Sequence, residues 1–184
     1  MSWRCKDFDG ALSAIDRAHV KASNGLLLLA FFGISMAASA TQIIRFSSGH
    51  ATVPMPDSFR VEVSGNDLTA TFGPAADHTL EISFLADLSK PGASKTLALD
   101  FVKAQAKKRG VSVQTDDERA VFSEPGAQEA RDGKTYQAMH WQIGVGNCIF
   151  TMTLTAPLPM SKELDEFLGG PLNKILNELS CSAP

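Results

Sequence analysis

Apolar and polar residues alternate with period two along several stretches of the chain. Phe59, Val61 and Val63 alternate with Arg60 and Glu62, and Leu68, Ala70 and Phe72 alternate with Thr69 and Thr71. Ser64-Gly65-Asn66-Asp67 stands between the two runs. They predict a hairpin with Val63 opposite Leu68, Val61 opposite Ala70, and Phe59 opposite Phe72. A third strand is expected over Thr79–Ala86, with Leu80, Ile82 and Phe84 on one face. The clearest pattern comes later. Met139, Trp141, Ile143 and Val145 alternate with His140, Gln142 and Gly144, ahead of the two-residue turn Gly146-Asn147. Folding about that turn sets Val145 against Cys148, Ile143 against Phe150, Trp141 against Met152, and Met139 against Leu154. On the opposite face it sets Gln142 against Thr151 and His140 against Thr153. A slip of one residue exposes the tryptophan and the phenylalanine, so this register is strongly specified. Residues 41–56 read as a leader containing Ile43-Ile44 and then Pro54-Met55-Pro56.

Helical spacing appears twice. Leu97, Phe101 and Ala104, with Ala98 and Val102 beside them, follow a loop containing Pro91-Gly92, and Ser94 suits the cap. Lys107-Lys108-Arg109 closes this helix before Gly110, as cations suit a helix C-terminus and glycine the position after it. That account is preferred over an anionic-ligand site. Val111–Gln114 and Ala120–Ser123 read as short strands, and Glu124–Thr135 as an exposed loop and a candidate contact surface. A final helix starts at Ser161, with the apolar stripe Leu164, Phe167, Leu168, Leu172, Ile175, Leu176 and Leu179. Gly169-Gly170-Pro171 interrupts it, because Pro171 lacks a donor for a continuous ladder.

The N-terminal region has a different character. Gly25–Met36 is an apolar run followed by Ala38-x-Ala40, the pattern of a secretory signal peptide. It is shorter than the roughly 20 apolar residues of a bilayer-spanning helix. Cleavage is expected between Ala40 and Thr41, giving a signal peptide over 1–40 and a single domain over 41–184. Three alternatives stay open: an initiator at Val20, an uncleaved anchor helix, and a start at Met36 that removes the signal. The full chain of 184 residues carries 17 Lys+Arg against 20 Asp+Glu, a net charge of −3. Loss of residues 1–40 takes away four basic and three acidic groups and leaves −4. An acidic chain of this kind is poorly matched to nucleic acid, which needs a clustered positive surface.

Cleavage also leaves two of the three cysteines, Cys148 and Cys181, and an even count in an exported chain invites a disulfide. The strand from Cys148 to Ala156 spans roughly 26 Å, and a helix from Lys162 to Ser180 roughly 28 Å. A helix returning along that strand brings Cys181 back to Cys148. Two unpaired thiols are the alternative.

Catalytic chemistry is not indicated. His50, His78 and His140 lack a second His or Cys at metal-ligand spacing, and no metal or cofactor is expected. No G-x-S-x-G, phosphate-binding loop or dinucleotide fingerprint is present. His140 reads as a solvated residue and His78 as part of a turn. Asp116-Asp117-Glu118 reads as an acidic turn.

The order is three strands, a helix, two short strands, a hairpin and a C-terminal amphipathic helix. With Pro54–Phe59 (PMPDSF), Phe150–Pro157 (FTMTLTAP) and Leu172–Ser180 (LNKILNELS), it resembles the DcrB/PsbP-like family over most of residues 50–180. The resemblance implies an α+β fold, an antiparallel sheet flanked by helices. It also implies a mostly non-enzymatic role: relatives include periplasmic proteins linked to phage adsorption, extrinsic photosystem subunits, and cytoplasmic chaperones for type VI secretion effectors. The expectation is an exported, periplasmic or secreted binding protein whose partner is another protein, an envelope component or a secreted effector. No stable membrane anchor is expected after cleavage. His140, Gln142, Thr151 and Thr153 are its candidate contact surface. The alternatives are an immunity protein that neutralises a secreted effector, an effector chaperone translated from Met36, and an enzyme. The enzyme reading requires a pocket gathering His140 or His78 with a carboxylate.

Overall fold

A computed structural model describes residues 40–49, 51–73, 75–89, 94 and 96–181. The expected signal peptide, apart from Ala40, lies outside these residues, as do His50, Pro91 and Gly92. The described residues fall within one compact unit.

The unit is an antiparallel α+β fold. β1 (Thr41–Arg45), β2 (Ala51–Pro56) and β10 (Ser180–Cys181) form a three-stranded sheet in the order β1-β2-β10. β3 (Arg60–Ser64), β4 (Asp67–Phe72), β5 (His78–Asp87), β6 (Gln114–Thr115), β7 (Arg119–Arg131), β8 (Lys134–Val145) and β9 (Cys148–Leu158) form a seven-stranded sheet. Its order is β3-β4-β5-β9-β8-β7-β6. The helices are α1 (Leu97–Arg109), α2 (Lys162–Gly169) and α3 (Pro171–Glu178).

Period-two patterning gives the large sheet two faces. The inner face carries Leu68, Ala70, Leu80, Ile82, Ile143, Phe150, Met152 and Leu154, all buried. It shares one core with the small sheet and with α2 and α3. Phe46, which follows β1, sits 6.2 Å from Phe84 and 6.1 Å from Phe150 between ring centroids. Phe59 and Phe72 stack at 4.4 Å, and Phe167 of α2 packs on both, at 5.6 and 4.6 Å. Burial of a phenylalanine side chain of this kind stabilises a fold by about 1.5–3 kcal/mol. The Ser161 side chain accepts a hydrogen bond from the Leu164 N–H and caps α2. Gly170 separates α2 from α3, which begins on Pro171, where a missing N–H costs nothing. Arg119 donates to the Leu176 carbonyl in the last turn of α3.

The predicted registers of β3 with β4 and of β8 with β9 are those observed, including Val63↔Leu68, Ile143↔Phe150 and His140↔Thr153. Cys148 and Cys181 are joined by a disulfide with a Cα–Cα distance of 5.8 Å. The bond ties β9 of the large sheet to β10, which pairs with Ala51 and Thr52 of β2.

Four expectations are corrected. Residues 41–56 are not a leader: Thr41–Arg45 pairs with Thr52–Pro56. Glu124–Thr135 is not a loop but the far end of a β7–β8 arm, paired from Arg131↔Lys134 inward and turned at Asp132-Gly133. Positive φ angles of 50° and 75° at those two residues give the turn a twist that matches the strands. The N-cap of α1 is Thr96 rather than Ser94, and the helix buries Ala98, Leu99, Val102 and Ala106. Phe101 stays 39% exposed. Val111–Gln114 supplies a strand only at Gln114–Thr115.

Candidate functional site

The outer face of the large sheet is where polar chemistry collects. Cross-strand pairing runs Thr69↔Glu81, Glu81↔Thr153, Thr153↔His140 and His140↔Glu124, a single polar row over five strands. A second row runs Thr71↔Thr79, Thr79↔Thr155 and Thr155↔Ala138. The side chains of these rows are half-buried to exposed.

α1 covers only one end of this face, and two glycines decide where. Gly144 leaves the surface of β8 bare, so that α1 comes down on it: a Cβ there would lie 2.6 Å from the Ala98 carbonyl oxygen. Leu99, Val102 and Ala106 then pack with Ala120 and Phe122 of β7. Gly110, at φ 69°, stops the helix. Its N–H donates to Lys107 and that of Val111 to Ala106, closing the last turn. Arg109 is therefore the last helical side chain, and it ends over the sheet. Its guanidinium lies 5.7 Å from the Phe122 ring centroid and pairs with the Glu124 carboxylate.

Beyond that pair lies a cavity of about 330 Å³. Its walls include Arg109, Phe122, Glu124, His140, Gln142, Thr151 and Thr153. All four residues expected to form a contact surface thus line one concavity. His140 is not simply solvated: it is half-buried and its Nδ1 lies 2.9 Å from the Thr153 hydroxyl. A Cβ on Gly126 would collide with the His140 ring, so Gly126 of β7 makes room for it. The buried Gln142 Oε1 has no hydrogen-bond partner among the described residues. An orphaned buried acceptor is costly.

Sequence reasoning missed Arg109 and Phe122 as members of this site, and it placed Glu124 in an exposed contact loop rather than beside His140. The helix-end cluster has a sufficient local explanation, and Lys107 and Lys108 are indeed exposed. The available signal was Gly144, a glycine within a strongly alternating strand, which marks close approach by another element.

A second polar cluster lies at the start of β5. His78 is 2% exposed and packs 5.1 Å from the Phe72 ring. Its Nδ1 is 3.0 Å from an Asp77 carboxylate oxygen without the alignment of a hydrogen bond, and its Nε2 is 3.5 Å from the Ser161 hydroxyl. Lys134 donates to Asp77 at 3.2 Å. Burial works to raise the Asp77 carboxyl, but the Lys134 hydrogen bond and the charges of His78 and Lys134 outweigh it and hold the group below its ordinary range. Ser161 is occupied as the cap of α2, and the cluster reads as a tie between β5, the β7–β8 arm and α2.

Asp116 accepts from the N–H groups of Glu118 and Arg119, the geometry of a turn. Among the described residues no group of His, Cys, Asp or Glu is arranged to hold a metal ion. No described helix is long and apolar enough to cross a membrane. Thr41 is the first residue of β1, and the Ala40 carbonyl accepts from the Asp57 N–H.

No family model matches the sequence, and no curated protein does. Solved structures do. A crystal structure of a protein from Bacteroides thetaiotaomicron superposes with a TM-score of 0.54 at 13% identity, over 74% of this chain and 46% of that one. The chain thus spans about half the length of that protein. Cyanobacterial PsbP (CyanoP) from Synechocystis gives 0.35 at 12% identity, covering 80% of this chain and 95% of its own. A mutant of protein Mog1 gives 0.39 at 10%, covering 76% and 93%. At such identities the likeness speaks to fold alone, and the first of these is similar to the present chain in its α+β arrangement.

Proposed function

We propose that this chain is an exported, non-enzymatic binding protein of the cell envelope, of the DcrB/PsbP-like kind, acting through protein–protein contact. The observation that carries the reading is the outer face of the large sheet. α1 stops at Gly110 and leaves two rows of threonines, with Glu81, His140 and Glu124, facing away from the core. Hydroxyl-rich, half-buried strands of this kind match a partner surface that supplies hydrogen bonds. The apolar run at Gly25–Met36 and the Cys148–Cys181 bridge support an oxidising destination, periplasmic or secreted. The same bridge weighs against the effector chaperone translated from Met36.

An enzyme is the second reading, because His140 and Glu124 share one cavity. Against it, Glu124 is held by Arg109, and His140 hydrogen-bonds Thr153 rather than a carboxylate. An immunity role is a narrower form of the first reading, with a secreted toxin as the partner.

Photo-crosslinking in native cells tests the proposal. A crosslinking residue at Thr71 or Thr155 is expected to capture one envelope or secreted protein, while the same residue at Lys162 on α2 does not. Equal labelling from both sides of the molecule, or none from the outer face, overturns it.

A further inference from the structure

Apart from the outer face, we propose that the open edge at β3 pairs with β3 of a second copy of this chain, across a twofold axis at Val61. The seven-stranded sheet has two edges, and they are built differently. β6 covers only Ala120 and Val121 of β7. Beyond it the β7 edge carries Pro125 and a register shift between Pro125 and Gln128, devices that keep a further strand from pairing. β3 has neither. Its five residues pair with β4 without a break, from Arg60↔Thr71 to Ser64↔Asp67. Among the described residues no strand pairs with its other side.

The direction of the free backbone groups follows from the hairpin. Gly65-Asn66 is a two-residue turn, so Ser64 and Asp67 face each other as a hydrogen-bonded pair. Glu62 with Thr69 and Arg60 with Thr71 are pairs of the same kind. The Asn66 carbonyl accepts from the Phe84 N–H of β5, which agrees with this alternation. Val61 and Val63 therefore turn their N–H and C=O groups off the edge. Their side chains lie on the inner face at the margin of the sheet, opposite the buried Ala70 and Leu68. Val61 is half-buried and Val63 is 44% exposed. On the other face Arg60 and Glu62 pair at 3.0 Å, with side chains 81% and 70% exposed.

Charge selects a second copy as the occupant, and it also selects the register. Two antiparallel β3 strands related by a twofold axis at Val61 exchange both Val61 hydrogen bonds. Arg60 of each copy then stands opposite Glu62 of the other, and Val63 opposite Phe59. Arg60 and Glu62 fall at the non-hydrogen-bonded sites of this seam, where side chains come closest. An axis one residue on sets Glu62 against Glu62, and one residue back sets Arg60 against Arg60. The Val61 register alone gives two opposite-charge pairs and no like pair. A contact resting on a five-residue strand belongs to the small, reversible class of interfaces, below roughly 1,200 Å².

The test is sedimentation equilibrium of the chain and its variants, each purified from native cells, over a range of concentrations. The chain is expected to dimerise reversibly. Arg60→Glu and Glu62→Arg each set two like-charge pairs across the seam, and each is expected to weaken the dimer about tenfold. The double variant restores the opposite-charge pairs and is expected to dimerise within about twofold of the original chain. Mixed with the original chain it is expected to form few mixed dimers, since that combination again sets like charges together. Lys162→Glu on α2 makes the same change in net charge as Arg60→Glu and is expected to leave the dimer unchanged. The partner expected at Thr155 is a different protein, so the two readings fail separately. A chain that stays monomeric to about 1 mM, or a dimer that the single exchanges leave intact, overturns the proposal. So does a double variant no better than the singles, free formation of mixed dimers, or an equal loss from Lys162→Glu.

Discussion

Gly144 and Ala98 meet backbone to backbone: the Ala98 carbonyl oxygen occupies the space where a side chain on β8 would stand. This contact sets the height of α1 above the sheet, and through Arg109 it sets the wall of the cavity. Gly144→Ala places a Cβ 2.6 Å from that oxygen, and backbone cannot yield as a flexible side chain does. We expect a loss of about 1–3 kcal/mol, typical of overpacking, measured by urea unfolding. Contact between Arg109 and Glu124 is expected to loosen at the same time.

The Cys148–Cys181 bridge closes a segment with a sequence separation of 33 residues and holds β10 beside β2. Replacement of both cysteines by alanine is expected to lower stability by about 2–4 kcal/mol through the freedom returned to the unfolded chain. Denaturation of the native chain with and without a reductant should give a loss of similar size.

Asp77 is the acid-sensitive point of the tie between β5 and the β7–β8 arm. Its carboxyl titrates below its ordinary value of 3.8 in the folded state, so its contribution is fully present above that pH. The contribution is lost as the pH falls through the depressed folded value. Asp77→Asn should cost about 1 kcal/mol near neutral pH, given that Lys134 is half exposed. The variant should also show a shallower fall in stability toward acid. Unfolding midpoints taken between about pH 5 and pH 3 compare the two slopes.

Gly126 faces the His140 ring across β7 and β8. Gly126→Ala should displace the ring and break its hydrogen bond to Thr153, at a cost of about 1 kcal/mol. The imidazole resonances of His140 report this directly. Resonances of the inner-face core should hardly move.

What the sequence makes legible follows from how local the determining physics is. The β8–β9 register is written in four consecutive apolar pairs around a two-residue turn, and no distant element is needed to read it. His140, Gln142, Thr151 and Thr153 share a face for the same reason. β2 is harder, because Pro54 and Pro56 argue against a strand. β10 pairs only with Ala51 and Thr52, so past that point β2 is an edge strand and the missing donors cost nothing. The β7–β8 arm lacks an apolar face because both of its sides meet water, and only Asp132-Gly133 marks it. The cavity needs α1 to land on Gly144 and Arg109 to reach Glu124, a long-range placement that periodicity does not encode.

The intact mass of the chain recovered from fractionated native cells tests the central claim of an exported binding protein most directly. The account predicts a chain beginning at Thr41, lighter by two hydrogens for the Cys148–Cys181 bond, in the envelope or secreted fraction. A chain beginning at Met36 with both thiols free, in the cytosol, would contradict it.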